Sequence, residues 1–196
     1  MFQKSIHATA LAFAAALGLS VSIENIWADS TSTRAAASDT ANEQSVIPGQ
    51  IAPDFKLRSE SGQEVSPKDF RGHWVVLYFY PKDFTKGCTI EAHNFQRDSA
   101  QYAAADAVIL GVSIGTPESH KEFCAKEGLS FKLLADTAGK VSSLYGSLKN
   151  WLGYKMSARN TFLINPDGKV VRMFIGVKPA DHSEEVLAAL KELQKT

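Results

Sequence analysis

The hydrophobic positions from residue 74 onward predict two buried strands joined by a helix. Trp74–Tyr80 is an unbroken run of β-branched and aromatic residues, and Val108–Ile114 repeats that character. Such runs are typical of strands whose two faces are both covered. The residues between them, from about Cys88 to Ala104, have a helical pattern. The order strand, helix, strand predicts parallel pairing, with Trp74–Tyr80 at the centre of the sheet.

Shorter elements complete the predicted architecture. Before this unit, the pattern predicts a small hairpin and one helical turn, at Phe55–Arg58 with Gln63–Val65 and at Pro67–Phe70. After it come a helix, a short apolar stretch, a weak helix, a hairpin and an amphipathic helix, at Pro117–Lys126, Phe131–Leu134, Ala138–Tyr145, Thr161–Ile164 with Val170–Val177, and Ala180–Gln194. Turn residues between apolar runs favour a hairpin. This order predicts a thioredoxin-like α/β domain, a central mixed sheet flanked by helices.

The first 28 residues have the pattern of a secretory signal peptide. A polar start containing Lys4 precedes the apolar stretch Ala8–Val21, which is too short for a stable membrane span. Ala28 is an acceptable cleavage residue. Retention as an uncleaved anchor and cleavage later, near Ala35–Ala37, are the alternatives. By any of these routes, we expect an exported protein in the periplasm or another compartment outside the cytoplasm.

Residues 29–47 predict a flexible linker. They are rich in Ser, Thr, Ala and Asn and have almost no large apolar residues. Such a segment cannot bury enough surface to order itself. The folded domain is therefore expected to span residues 48–196.

Composition narrows the class of partner. The chain has 196 residues, 44% of them hydrophobic, and 21 basic residues balance 21 acidic ones. Without a basic cluster, a nucleic-acid partner is not expected. Outside the leader there is no apolar stretch of transmembrane length, so we expect no membrane association of the mature form. Small substrates fit this composition better.

The chain contains two cysteines, Cys88 and Cys124, which lie 36 positions apart. Two thiols at this distance offer no local chelate, so no metal site is expected. Cys88 follows the central strand, where a loop turns into a helix. A thiolate there is stabilised by unpaired backbone N–H groups. By position alone, Cys88 is equally well a small residue in a loop.

Two neighbours favour a reactive cysteine. Thr85 lies three residues before Cys88 on a tightening turn, where its hydroxyl can reach the same space as the sulfur and hydrogen-bond a bound oxygen. Pro81 fixes the loop and shields the thiolate from water. This setting favours a working thiol over a passive one.

The pattern Pro-x-x-x-Thr-x-x-Cys, formed by Pro81, Thr85 and Cys88, resembles the active-site motif of the peroxiredoxins. Further segments narrow the resemblance to the bacterioferritin-comigratory-protein or Q-type branch, namely Ala52–Phe55, Val75–Asp83, Gly87–Glu91 and Arg159–Ile164 before Asp167-Gly-Lys169. The likeness covers about residues 48–190 in collinear order.

The resemblance implies a thiol peroxidase. The cysteine of this family attacks the O–O bond of hydrogen peroxide or an organic hydroperoxide, becomes a sulfenic acid, and is recycled by a thioredoxin-like donor without a bound cofactor. Arg159 occupies the position at which the family has an arginine that polarises the peroxide. Without the resemblance, it would be interpreted as a solvated arginine at the start of a strand. Glu91 is placed beside the site, although a glutamate at a helix end is also an ordinary dipole partner. We expect a monomer.

The sequence leaves two ways of completing the cycle open. Many Q-type members have a second cysteine five residues after the first, but here that position is His93. Either an external thiol completes a one-cysteine cycle, or Cys124 forms an intramolecular disulfide with Cys88. Lys121–Gly128 resembles the family version that carries the second cysteine there, whereas a free cysteine on an amphipathic helix is also often an inert buried thiol. Because cysteines on separate helices need not lie within disulfide range, we expect the start of the Cys88 helix and the Cys124 helix to loosen on oxidation.

Two rival functions remain at this stage. An exported thiol–disulfide oxidoreductase would need Cys-x-x-Cys, but Thr85 and Glu91 occupy the positions three residues either side of Cys88. A redox sensor or holdase would use oxidation of Cys88 as a switch. His93 is expected on the surface, and the remaining histidines of the domain carry no signal: His73, His120 and His182.

Overall fold

The structure is a computed structural model and describes residues 46–195 of the chain. The predicted signal peptide, 1–28, lies outside the described residues, as does nearly all of the predicted linker, 29–47. Within residues 46–195, no helix is long and apolar enough to cross a membrane.

Strands and helices alternate along most of the described chain. The strands are β1 Leu57–Ser59, β2 Glu64–Val65, β3 Trp74–Phe79, β4 Ala107–Ser113, β5 Lys132–Ala135, β6 Leu148–Trp151, β7 Tyr154–Ser157, β8 Asn160–Ile164 and β9 Val170–Ile175. The helices are α1 Lys86–Arg97, α2 Ser99–Ala104, α3 Pro117–Glu127, α4 Lys140–Leu144 and α5 His182–Leu193, with a 3-10 turn at Pro67–Phe70.

Seven of these strands form one mixed sheet in the order β2-β1-β5-β4-β3-β8-β9. β3 pairs in parallel with β4 and antiparallel with β8, and β4 pairs in parallel with β5. The predicted strand-helix-strand unit and its parallel pairing are therefore confirmed. The loops that follow β3 and β4 leave the same edge of the sheet, because parallel strands share their C-terminal edge.

Helices cover both faces of the sheet, as the thioredoxin-like prediction requires. Successive residues of β3 alternate between two apolar clusters, with Val76 and Tyr78 in one and Val75 and Leu77 in the other. The first cluster includes residues of α1, α3 and α5 and both cysteines. The two cysteines thus lie on the same side of the central sheet.

The single helix predicted from about Cys88 to Ala104 is wrong in one respect. Two helices, α1 and α2, meet at Asp98 instead. The Asp98 carboxylate is buried, and it accepts hydrogen bonds from Arg97 and from the hydroxyl of Ser183 on α5. These contacts fix the junction against α5, and a helical sequence pattern does not reveal such a tertiary contact.

The sequence analysis also missed the two-stranded β6-β7 hairpin. Its turn contains Leu152 and Gly153, both with positive φ, whereas Asn-Gly is the usual signal of such a turn. Most of its residues face solvent, including Trp151 and Tyr154, so no alternation of buried and exposed positions marks it. The predicted β8-β9 hairpin and the predicted helix from Pro117 are confirmed, and Gly128 caps the end of that helix.

Candidate active site

Cys88 lies in the first turn of α1, beyond the C-terminal end of β3. Thr85 is the N-cap residue of the helix and has an extended backbone. The N–H groups of a first helical turn have no intrahelical acceptor and favour a nearby negative charge. Cys88 is 2% exposed. Its sulfur therefore lies in a site that is shielded from most of the solvent and suited to an anion.

The loop before α1 contains a strained residue. Phe84 has a φ of 60°, in the left-handed region that non-glycine residues rarely adopt. Its ring packs edge to face on Phe123 of α3, with ring centroids 5.1 Å apart. Strained backbone persists where surrounding contacts hold it, and such residues are frequent at active sites. The Cys88 loop is thus held in place partly by the helix that carries Cys124.

Arg159 reaches the sulfur from the segment between β7 and β8. Its Nη2 donates a hydrogen bond to Sγ of Cys88 at 3.1 Å. Gly87 makes room for this contact, because a Cβ there would lie 2.8 Å from Nη2 of Arg159. A guanidinium at this distance stabilises the thiolate and, later, negative charge on a departing oxygen.

Glu91 lies one turn after Cys88 and holds the other side of the guanidinium. Its Oε2 accepts a hydrogen bond from Nη1 of Arg159 at 2.6 Å. Burial raises the pKa of Glu91 to about 7, although Arg159 opposes this shift. Among the described residues, its Oε1 has no hydrogen-bond partner. Glu91 therefore orients Arg159 toward the sulfur while remaining close to its own titration point at neutral pH.

Thr85 and Pro81 shape the loop. The Thr85 hydroxyl donates to the backbone carbonyl of Lys82 at 3.0 Å, which closes the turn before α1. Pro81 is partly buried at the start of that turn. A contact of Thr85 with a bound oxygen and the shielding of the thiolate by Pro81 both stay predictions.

Cys124 lies in the C-terminal half of α3 and belongs to the same apolar cluster as Cys88. Both thiols are free and buried. Burial raises the pKa of Cys124 to about 12, and the nearby carboxylates of Glu60 and Asp83 add to the shift. In the folded helix, Cys124 is therefore a protonated and poorly reactive thiol.

The sequence analysis missed a buried polar cluster that joins the Cys88 loop to α3. We call it the Asp83 cluster: Tyr80, Asp83, Ser119 and His120. The Asp83 carboxylate accepts hydrogen bonds from the hydroxyls of Tyr80 and Ser119, at 2.7 and 2.6 Å, and from Nδ1 of His120, at 2.8 Å. Burial opposes ionisation of Asp83, but His120, together with the hydroxyls of Ser119 and Tyr80, keeps the pKa of Asp83 below its ordinary value.

Two other histidines have defined positions. His182, at the start of α5, is fully buried, and its Nε2 lies 2.7 Å from the hydroxyl of Thr161. Burial lowers the pKa of His182 to about 4, and the charge of Arg159 adds to this effect. His93 is exposed, as expected, and its Nε2 lies 2.9 Å from a carboxylate oxygen of Glu127 on α3. Composition and spacing cannot distinguish a buried histidine from an exposed one.

This geometry suits nucleophilic attack by a thiolate on a small electrophile. The nucleophile lies at a helix start, and a guanidinium fixed by a buried acid touches it. Within residues 46–195, no group of three or more His, Cys, Asp or Glu side chains is arranged to hold a metal ion. The groups present provide charge stabilisation for a reaction in which sulfur gains an oxygen atom.

The sequence has close relatives among characterised bacterial proteins. Residues 48–173 match the model of the AhpC/TSA family. The chain is 40% identical to peroxiredoxin Bcp of Bacillus subtilis over 151 residues, which cover 75% of this chain and 96% of that protein. Peroxiredoxin Bcp of Escherichia coli is 38% identical over 148 residues, 74% of this chain and 95% of that one.

Solved structures agree with the sequence comparison. A cysteine-to-serine variant of peroxiredoxin Q from Xylella fastidiosa has a TM-score of 0.73 at 32% identity, covering 76% of this chain and 98% of that one. Peroxiredoxin Q of Xanthomonas campestris has a TM-score of 0.66 at 39% identity, covering 70% of this chain and 90% of that one. The chain therefore belongs to the AhpC/TSA family and is a peroxiredoxin of the Bcp or Q type, a thiol peroxidase.

Proposed function

We propose that the protein reduces hydrogen peroxide and organic hydroperoxides in a two-cysteine cycle that starts at Cys88. The 3.1 Å hydrogen bond from Arg159 to the Cys88 sulfur carries this proposal. The Cys88 thiolate attacks one peroxide oxygen, an S–O bond forms as the O–O bond breaks, and the second oxygen leaves with a proton as water or an alcohol. Cys88 becomes a sulfenic acid. Arg159 stabilises the negative charge that passes from sulfur to the leaving oxygen.

We extend the proposed substrates to organic hydroperoxides because of the activity given for one relative. Trapped intermediate and ligand complexes of the Xanthomonas campestris bacterioferritin comigratory protein have been solved to explain its alkyl peroxide reduction activity, and that chain is 38% identical to this one. The exposed Phe84 ring beside the site offers an apolar contact for an alkyl group. Hydrogen peroxide needs no such contact, so both substrate classes fit the site.

Cys124 is the proposed resolving thiol. Its sulfur attacks the sulfenic sulfur of Cys88, an S–S bond forms, and the hydroxyl leaves with the thiol proton as water. Xanthomonas campestris peroxiredoxin Q has been solved with serine in place of cysteine at each of two positions 36 residues apart, the separation of Cys88 and Cys124 here. The two cysteines of this chain also share one apolar cluster.

In the proposed resolving step, both helices open locally. A disulfide needs a Cα separation below about 7 Å and Cβ atoms that point toward each other. Cys88 and Cys124 each lie within a helix that packs on the sheet. In the proposed cycle, the first turn of α1 and part of α3 unwind, and Cys124 then reaches solvent and ionises more easily.

The disulfide is reduced by an external dithiol of the thioredoxin type, which attacks one sulfur and leaves as its own disulfide. We also propose that the protein works outside the cytoplasm, on the basis of the apolar segment Ala8–Val21. The alternative is a one-cysteine cycle in which an external thiol attacks the sulfenic acid directly. The burial of Cys124 and the rise in its pKa favour this alternative.

Mass analysis of the full chain after treatment with one equivalent of peroxide tests the proposal. We expect a Cys88–Cys124 bond and a loss of two hydrogens in the wild type, and a sulfenic acid at Cys88 in Cys124→Ser. Cys88→Ser should consume no peroxide. Peroxide turnover with persistent sulfenic acid in the wild type would favour the one-cysteine cycle. Without catalytic turnover by the wild type, the peroxidase assignment itself would fail.

A further inference from the structure

The Asp83 cluster joins the loop that precedes Cys88 to the helix that carries Cys124. Asp83 lies five residues before Cys88 in the active-site loop, and His120 lies four residues before Cys124 on α3. Residues four apart in a helix share a face, so His120 and Cys124 both point toward the sheet. Both are buried. One set of hydrogen bonds therefore joins the two segments that must open before a disulfide can form.

Burial makes this connection strong. Asp83 is 4% exposed and His120 is fully buried. The Asp83 carboxylate accepts one hydrogen bond from Tyr80, directly after the end of β3. It accepts two more from Ser119 and His120 on α3. Separating a buried charge from its partners without access to water is strongly unfavourable. If α3 moves away alone, Asp83 loses two partners at once, so the loop and α3 are expected to open together.

The cluster is also incompletely satisfied. Within the described part of the chain, Nε2 of His120 and the nearby hydroxyl of Ser113 on β4 are buried without a hydrogen-bond partner. Native proteins contain few such atoms, and each one costs free energy that water would relieve. Opening the cluster returns these atoms to water. This gain reduces the cost of opening below that of a fully bonded cluster.

We propose that the Asp83 cluster couples the opening of the active-site loop to that of α3, with His120 as the positioning residue, and so controls the fate of oxidised Cys88. This proposal rests on the two-cysteine cycle proposed above. While the cluster is closed, the sulfenic acid is held beside Arg159 and away from Cys124. When it opens, both cysteine segments are released in the same event.

Two reactions compete for the sulfenic acid. In the open state, Cys124 attacks it, an S–S bond forms and water leaves. In the closed state, a second peroxide molecule transfers one oxygen to the sulfur, which gives a sulfinic acid and water or an alcohol. A weaker cluster should therefore increase the disulfide fraction and decrease the sulfinic fraction.

Hydrogen exchange of the reduced full chain tests the coupling. His120→Ala should increase exchange at least tenfold in both the 82–88 segment and α3, and His120→Asn should restore most protection because it keeps an N–H donor near the position of Nδ1. His93→Ala is the matched control. It removes a contact between α1 and α3 in which Nε2 of the exposed His93 lies 2.9 Å from the partly buried Glu127, and it should change exchange less than twofold. Ser119→Ala is the milder variant if His120→Ala does not fold.

Oxidation with excess peroxide gives the functional readout. The sulfinic fraction of Cys88 should fall at least fivefold in His120→Ala and recover in His120→Asn, while the rate of the first peroxide step changes less than threefold. Faster exchange in α3 with an unchanged 82–88 segment would overturn the coupling, and so would an unchanged or larger sulfinic fraction. If the wild type forms no Cys88–Cys124 bond, the two-cysteine cycle fails, and the exchange experiment still decides whether the segments are linked.

Discussion

Cys88 and Cys124 lie in one apolar cluster but in opposite electrostatic settings. Cys88 is in the first turn of α1, at the positive end of the helix dipole, and Arg159 donates a hydrogen bond to its sulfur. Cys124 is in the C-terminal half of α3, where the dipole is negative, and Glu60 and Asp83 contribute further negative charge. Burial is similar, with exposed fractions of 2% and 9%. Burial is the main cause of the raised pKa of Cys124, and the neighbouring charges add a further difference between the settings of the two thiols.

This difference sets the order of the chemistry. A thiol that stays protonated in the folded state cannot compete for peroxide, so peroxide meets one nucleophile only. In the proposed two-cysteine cycle, the second thiol becomes reactive only after local opening, when it leaves the apolar cluster and the carboxylates. The same fold thus prepares one cysteine and suppresses the other.

Alkylation gives the largest expected difference between the two thiols. In the reduced full chain at pH 8, we expect iodoacetamide to modify Cys88 about a thousandfold faster than Cys124, because the thiolate is the nucleophile and the pKa of Cys124 is raised to about 12. Peptide mass analysis over time measures both rates. In guanidinium chloride the two rates should become similar. Equal rates in the folded protein would contradict the proposed electrostatic separation.

Replacement of Arg159 tests the positive side of the comparison. Arg159→Gln should lower kcat/KM for peroxide by about 10²–10³, because one charged donor at the reacting centre is lost. Stopped-flow consumption of hydrogen peroxide measures this step. The matched control is Arg172→Gln, which removes an exposed arginine 3.5 Å from Glu192 and should have no effect. A decrease of less than threefold in Arg159→Gln would mean that the contact with the sulfur contributes little to the reaction.

Buried and exposed elements differ in how well the sequence predicts them. The central strand and the parallel unit were predictable because both faces of β3 are buried, which leaves a continuous apolar run. The position of Cys88 between a strand and a helix did not by itself favour a reactive thiol; Thr85 and Pro81 in the same loop did. The β6-β7 hairpin escaped prediction because its strands are largely exposed and its turn uses leucine where asparagine is usual.

The polar contacts within the core were the least predictable. His120 and His182 had no signal in the sequence, yet both are buried, one against Asp83 and the other against Thr161. Their partners lie 37 and 21 residues away. Periodicity describes which face of an element is apolar, but it cannot show which polar groups meet across a folded sheet. The roles of Thr85 and Pro81 toward substrate stay predictions, because they concern contacts with the peroxide itself.

Glu91 gives the smallest of the expected effects, on stability. Its ordinary pKa of 4.5 rises to about 7 in the folded chain, mainly through burial. Between these values the folded state holds a proton that the unfolded state has lost, so the contribution of Glu91 to stability is fully present below about pH 4.5 and is lost as pH rises through about 7. We expect the free energy of unfolding to fall by about 3 kcal/mol through the titration of Glu91. Urea unfolding at pH 5 and pH 8 measures it: Glu91→Gln should remove most of this pH dependence, and the exposed control Glu192→Gln should keep it. An unchanged pH dependence in Glu91→Gln would mean that Arg159 keeps Glu91 ionised from pH 5 to pH 8. Burial of this carboxylate would then make no contribution to the pH dependence of stability.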